Sequence, residues 1–271
     1  MKVLITGAAG GLGRTYINEC IKRSYEVCAT DINNNGLITM KEGIYNRYRK
    51  NILTYPCDLT NDNSVNKLMD YLKEQQFEVD MLLNVAGIDF EGGFLDRSFS
   101  EIQNVINLNI LGTLRVTHKI LSSKEFSKRF YIINISSLAA EQPIPLKATY
   151  AASKRFLLDF SRAIGEELKS KHVNVLAVCP GGLATTCEVM HAINGQGFFG
   201  AITTCNMERV VTHSIDYVLK GKTKYIPGIF NKLASSLNYL LPISFTTKYL
   251  YKRWAKAQST WLTGLVEEIK V

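Results

Sequence analysis

Residues 6–13 read TGAAGGLG, a glycine-rich turn set directly after the apolar run KVLIT (2–6) and directly before a stretch of helical period. Glycines at such a junction permit a tight turn and close backbone approach. The start of the following helix then offers unpaired N–H groups and a positive dipole end to a pyrophosphate. The glycines can be counted as Gly7, Gly11 and Gly13 or as Gly7, Gly10 and Gly13, and the turn alone does not choose. Strand, glycine turn and helix in that order point to a nucleotide-binding α/β fold.

The rest of the chain continues the alternation. EVCAT (26–30), NILTYPC (51–57), VDMLLN (79–84), RFYIINIS (129–136), VNVLAVC (173–179) and KYIP (224–227) join KVLIT as seven strands, and segments such as 64–76, 98–122 and 151–170 have helical period between them. This spacing predicts a Rossmann-type, doubly wound α/β fold with a seven-stranded parallel sheet and helices on both faces. No repeat, low-complexity tract or linker interrupts it, so residues 1–271 are expected to form one domain. After Thr185 the pattern loosens, and a substrate lid is expected over about 186–206, followed by a helix near 208–220. A C-terminal helical extension is expected over about 229–262. Its basic-aromatic part, with Tyr249, Tyr251, Trp254 and Trp261 among Lys248, Lys252, Arg253 and Lys256, is read as a helix packed on the domain or on a second subunit, with contact to a membrane surface as the alternative.

At 46% apolar residues the chain can bury a sizeable core. The first strand begins at Lys2, which leaves no room ahead of it for a signal or transit peptide, so a cytoplasmic protein is expected. Six scattered cysteines with no Cys-x-x-Cys pair argue against a disulfide framework or a metal site. The net charge of +8 is spread along the chain without a nucleic-acid module, so no nucleic-acid partner is expected. No apolar run approaches the ~20 residues of a membrane-spanning helix.

Four positions between 109 and 154 carry the candidate chemistry. Tyr150 and Lys154 stand at i and i+4 at the start of a helical stretch, so the ammonium lies one turn from the phenol. A nearby cation lowers a phenol's pKa toward the range where it exchanges protons with an alcohol or ketone. Ser137 ends the fifth strand on the carboxyl edge of the sheet, where open α/β proteins bind ligands, and its hydroxyl can bond a substrate oxygen. Ser136 competes for that role, but adjacent strand residues point to opposite sides and only one should face the site. Asn109 lies in a helical stretch where propensity does not favour an amide, which suits either a proton relay or packing. At the other end, Asp31 closes the second strand, where a carboxylate can accept bonds from both ribose hydroxyls of NAD and would repel the extra phosphate of NADP. Arg14 is the nearby cation that would blur this preference.

Together these residues resemble the short-chain dehydrogenase/reductase superfamily, over roughly Lys2 to Lys224. Thr6, Gly7, Gly11 and Gly13 match the glycine motif of its compact branch, with Leu12 inside it. Asp58, followed by Leu59, matches the acid that holds the adenine, and NVAG, with Asn84, Ala86 and Gly87, resembles the Asn-Asn-Ala-Gly signature. Asn109, Ser137, Tyr150 and Lys154 match the catalytic tetrad. PGGLAT resembles the segment that contacts nicotinamide and pyrophosphate through Pro180, Gly181 and Thr185. The resemblance selects the Gly7, Gly11, Gly13 count and the compact branch over the sugar-nucleotide branch. Val85 in place of the second Asn and Ala140 in place of a frequent Gly depart from the pattern without removing a catalytic group.

The resemblance implies an NAD-dependent oxidoreductase, with NADP the less favoured cofactor, and a homodimer or homotetramer. Tyr150 would take the hydroxyl proton while hydride leaves the substrate carbon, Ser137 would steady the oxygen, Lys154 would lower the tyrosine pKa and hold the nicotinamide ribose, and Asn109 would support a water linking Lys154 to solvent. Phe90, Phe94, Phe198 and Phe199 suggest an apolar pocket and a bulky secondary alcohol or ketone such as a hydroxysteroid or other lipid. The alternatives are a nucleotide-sensing binding protein without turnover and a sugar-nucleotide epimerase or dehydratase.

Overall fold

The apolar run at the start of the chain forms β1 (Lys2–Thr6), in which Val3, Leu4 and Ile5 are fully buried. A parallel strand covered on both faces reads as continuous apolar sequence rather than as alternation, and the same pattern makes β2 (Glu26–Asp31), β4 (Met81–Asn84), β5 (Phe130–Ile135) and β6 (Val173–Val178). With β3 (Leu53–Pro56) and β7 (Lys224–Tyr225) they build a seven-stranded parallel sheet in the order β3-β2-β1-β4-β5-β6-β7. This is the Rossmann-type arrangement expected. The computed structural model describes residues 1–89, 91–184, 202–238 and 241–268, the side chains of 238 and 256–268 excepted.

Helices cover both faces. Tyr16 and Ile17 of α1 (Gly11–Lys22), Leu37 of α2 (Asn34–Tyr48) and Val211 and Ile215 of α7 (Met207–Leu219) pack on one side. Val65 and Leu68 of α3 (Asp62–Glu74) and Val116 and Ile120 of α5 (Thr113–Ser122) pack on the other. The other α-helices of the described residues are α4 (Phe99–Ile106), α6 (Ala148–Glu167), α8 (Ile229–Asn238) and α9 (Ile243–Glu268). No helix of the described residues is long and apolar enough to cross a membrane.

Several expected boundaries move. The strands read over 51–57 and 79–84 shrink to 53–56 and 81–84, and the one over 224–227 to two residues, because only those residues find a neighbour in the ladder. The helix read over 98–122 is two helices joined by a wider turn over Asn107–Gly112, which carries Asn109. The asparagines after Asp31 open α2: Asn33 Oδ1 accepts the Gly36 N–H at 2.9 Å.

Strand order reverses between β1 and β4, which leaves a crevice at their carboxyl ends.

Candidate active site

Gly7 adopts a left-handed conformation (φ +64°), and a Cβ there would sit 2.6 Å from the Ala86 Cα. A Cβ on Gly13 would meet the Gly7 carbonyl oxygen at 2.2 Å, whereas one on Gly10 would meet it only at 3.4 Å. The geometry therefore requires glycine at 7 and 13 and tolerates a small residue at 10. Thr6, buried behind the turn, accepts the Val85 and Ala86 N–H groups on its hydroxyl at 3.1 and 3.3 Å, and so pins the NVAG loop against the glycines.

The first turn of α1 opens into a cavity of about 1240 Å³ walled at this end by Gly7, Gly10, Gly11, Leu12 and Gly13. α2, α3 and α4 begin with Asn33, Asn61 and Ser98 whose side chains cap the first turn, but α1 begins at Gly10 with no side-chain cap and no acidic residue. Its free N-terminal groups and dipole are left to whatever enters the cavity. Asp31 lies on the same wall, its two carboxylate oxygens accepting the Ala9 and Asn33 N–H groups, each at 2.9 Å. Asp58 and Leu59 also line it, with Asp58 Oδ1 held by the Thr60 N–H and hydroxyl at 2.8 and 2.7 Å. Arg14 is exposed and is not on the wall.

Farther along, Ser137, Tyr150 and Lys154 line the cavity together. Ser136 lines the cavity too, but it is buried and donates its hydroxyl to the Lys154 carbonyl at 2.7 Å. Ser137 accepts the Ala139 N–H at 3.1 Å and lines the same cavity as the Tyr150 phenol. Burial pushes the Tyr150 pKa above its ordinary value, Asp89 adds to the rise, and Ser137 opposes it. The chain alone thus does not show the lowering expected from Lys154, whose ammonium lies 5.7 Å from the ring centre and donates to the Ile135 carbonyl at 3.0 Å. Burial in turn pushes Lys154 down to about 8.

Three expected site residues stand behind the wall rather than on it. Besides Thr6, Asn84 is buried and donates to Thr117 Oγ1 and Asn134 Oδ1 at 3.0 and 2.7 Å, tying β4 to α5 and β5. Asn109 accepts the Ile88 N–H at 2.9 Å and donates to the Ile88 carbonyl at 3.0 Å and Ser153 Oγ at 3.1 Å. It clamps the loop that carries Ala86 and Gly87, and a Cβ on Gly87 would crowd both Lys154 Nζ (3.0 Å) and Asn109 Oδ1 (3.1 Å). Pro180 and Gly181 are on the wall. Thr185, Phe90, Phe198, Phe199 and most of the expected lid lie outside the described residues. Phe94 is exposed and off the cavity wall, so the apolar pocket is not built from it. Leu237, Leu241, Phe245, Tyr249, Leu250 and Trp254 make that wall instead.

Sequence reasoning also missed a cluster beside Tyr150. Lys147, buried at the start of α6, pairs with Asp89 Oδ2 at 2.8 Å and with Glu91, and its ammonium lies 5.4 Å from the Tyr150 ring centre and 4.8 Å from that of Trp254. The Gly92 N–H donates to the carbonyl of Leu146, itself at φ +64°, at 2.8 Å and fixes the two loops together. A lysine one turn before Tyr150 and two acids just after NVAG were the available signal.

Residues 1–193 match the family model described as short chain dehydrogenase. The chain belongs to that family. This short-chain dehydrogenase is 28% identical over 239 residues to ketoacyl reductase HetN of Nostoc sp., covering 88% of this chain and 82% of the relative. It is 30% identical over 248 residues to mouse 17-beta-hydroxysteroid dehydrogenase type 3, covering 87% and 77%. Among solved structures it superimposes on an actinorhodin polyketide ketoreductase variant holding NADPH with a TM-score of 0.74, at 22% identity and covering 84% of this chain and 95% of that one. Family membership makes it an oxidoreductase acting on CH–OH groups. The match ends before α7, so the apolar wall from α8 and α9 belongs to the part of this short-chain dehydrogenase beyond the family model.

Proposed function

We propose that this chain interconverts a secondary alcohol and a ketone with NAD, on a bulky apolar substrate such as a hydroxysteroid or other lipid. The observation that carries the reading is one cavity whose glycine end offers an uncapped helix terminus and Asp31, whose middle holds Ser137, Tyr150 and Lys154, and whose far end is apolar. Gly7, Gly11, Leu12, Gly13, Asp58, Leu59, Ala86, Gly87, Pro180 and Gly181 would hold the dinucleotide, with Thr6 and Asn84 fixing its walls. When bound, NAD supplies the hydride acceptor. Tyr150 exchanges the proton of the substrate oxygen, Ser137 bonds that oxygen, and Lys154 orients the ribose beside it. Asn109 holds the loop at Gly87 in place. A carboxylate at Asp31 favours a free ribose hydroxyl over a phosphate there. That argument rests on Asp31 alone, because the NADPH of the solved relative belongs to a protein sharing only the fold. One catalytic domain is supported by the shared cavity, whose walls come from both the sheet edge and the C-terminal helices.

The test is absorbance of reduced nicotinamide with NAD and NADP in parallel, against hydroxysteroids, fatty and aryl alcohols and sugars, beside Tyr150→Phe. Turnover with NAD that falls by about two to four orders of magnitude in the variant is expected. Preference for NADP would overturn the Asp31 assignment alone. Tight NADH binding with no turnover of any panel member would favour a nucleotide sensor, and cofactor retained through purification with no net turnover would favour the epimerase class.

A further inference from the structure

The helix α8 is turned inside out. Its polar residues Asn231 and Ser235 are 1% and 3% exposed, donating to the Thr203 and Pro227 carbonyls and to Glu141 respectively. Its apolar residues Ile229, Phe230, Leu233 and Leu237 are 70%, 58%, 61% and 53% exposed. Three of these stand four apart and lie along one face. On α9 the pattern continues, with Ile243, Phe245 and Tyr249 exposed while Thr246 and Leu250 are buried. Burying an amide while leaving Phe and Leu in water reverses the usual partition, and a contiguous patch of this kind marks a contact surface.

We propose that this face rests on the surface of an anionic lipid bilayer. Leu237, Phe245 and Tyr249 are both exposed and on the cavity wall, so the cavity opens within the apolar patch itself. Exposed Lys232, Lys248 and Lys252 stand on the same two helices, beside Tyr249 and Tyr251, and the chain as a whole carries +8. Apolar side chains flanked by lysines that reach toward headgroups and by amphipathic aromatic rings are what an interfacial helix needs. A second copy is the less favourable occupant, because a symmetric contact brings the lysines of one face against those of the other. An apolar substrate dissolved in the bilayer would then enter without crossing water. That delivery route rests on the proposed substrate class; the binding does not.

The 271-residue chain would be mixed with phosphatidylcholine vesicles, with and without phosphatidylserine, and bound protein separated by flotation. Flotation is expected with the anionic vesicles and less with the neutral ones. Phe230→Ser and Leu233→Ser, neither on the cavity wall, should each weaken partition about tenfold. Lys248→Glu with Lys252→Glu should erase the preference for phosphatidylserine. Wild-type protein that floats with neither vesicle overturns the proposal, and a dimer that the serine substitutions split would then identify a second copy as the occupant. Flotation undiminished by Phe230→Ser and Leu233→Ser overturns it as well. Vesicle binding is read without turnover, so failure of the proposed reaction and failure of this surface are seen separately.

Discussion

The Lys147 ammonium lies 5.4 Å from the centre of the Tyr150 ring while bound to Asp89 at 2.8 Å, so the charge beside the phenol is set by a pair rather than by one cation. Asp89 and Glu91 both raise the Tyr150 pKa. In alcohol oxidation Tyr150 must be a phenolate to take the proton, so Glu91→Gln is expected to shift the acidic limb of the pH dependence of kcat/KM downward, and Lys147→Met, which removes the cation paired with both carboxylates, upward. Lys147→Met should also cost about 1–3 kcal/mol of stability, below the range for fully buried pairs because Asp89 is 43% exposed. Profiles of both variants that coincide with wild type would show that the cluster serves packing alone.

Lys154 is a buried cation pushed down to about 8, from ~10.4 in the unfolded chain. Because the folded value is the lower one, the unfolded state binds more protons between about pH 8 and 10, and stability rises with pH across that window. Below it the cost of burying the charge is fully present. Lys154→Met should accordingly unfold at a higher temperature than wild type near pH 7, by about 1–3 kcal/mol of added stability, with the gap closing toward pH 10. Turnover should be lost over the whole range. Thermal unfolding at the two pH values checks the sign.

The glycines separate by geometry. Gly13→Ala places a Cβ 2.2 Å from a backbone oxygen and should cost about 1–3 kcal/mol and most dinucleotide affinity. Gly10→Ala, with 3.4 Å of room, should leave both within about 0.5 kcal/mol. Chemical denaturation and NADH titration of the pair measure this.

Asp31 accepts two backbone N–H groups, so its removal affects the turn as well as the ligand. Asp31→Asn keeps an acceptor and removes the charge, and should move the ratio of kcat/KM for NADP over NAD upward about tenfold or more. An unchanged ratio would place the discrimination elsewhere on the wall.

Much of this molecule is local chemistry, and local chemistry is legible in a sequence. Apolar runs such as KVLIT and VNVLAV declare buried parallel strands because both faces are covered, and the glycine turn sits where strand meets helix. Tyr150 and Lys154 share a face because the helical repeat puts i and i+4 together. Ser136 and Ser137 were distinguishable only as an alternation; the fold commits the Ser136 hydroxyl to the Lys154 carbonyl, a partner on another element. The turn at Asn109 was hidden because its side chain bonds the backbone of Ile88, far away in the chain. Lys147, Asp89 and Trp254 come from separate segments and meet only when α9 packs beside α6, so no spacing rule finds them. The outward apolar face of α8 was hidden for a related reason. Ile229, Leu233 and Leu237 stand at helical spacing in the sequence, but the side that is buried depends on Asn231 and Ser235 finding partners in Thr203, Pro227 and Glu141. Periodicity determines that a helix has two faces, and tertiary packing decides which one meets water.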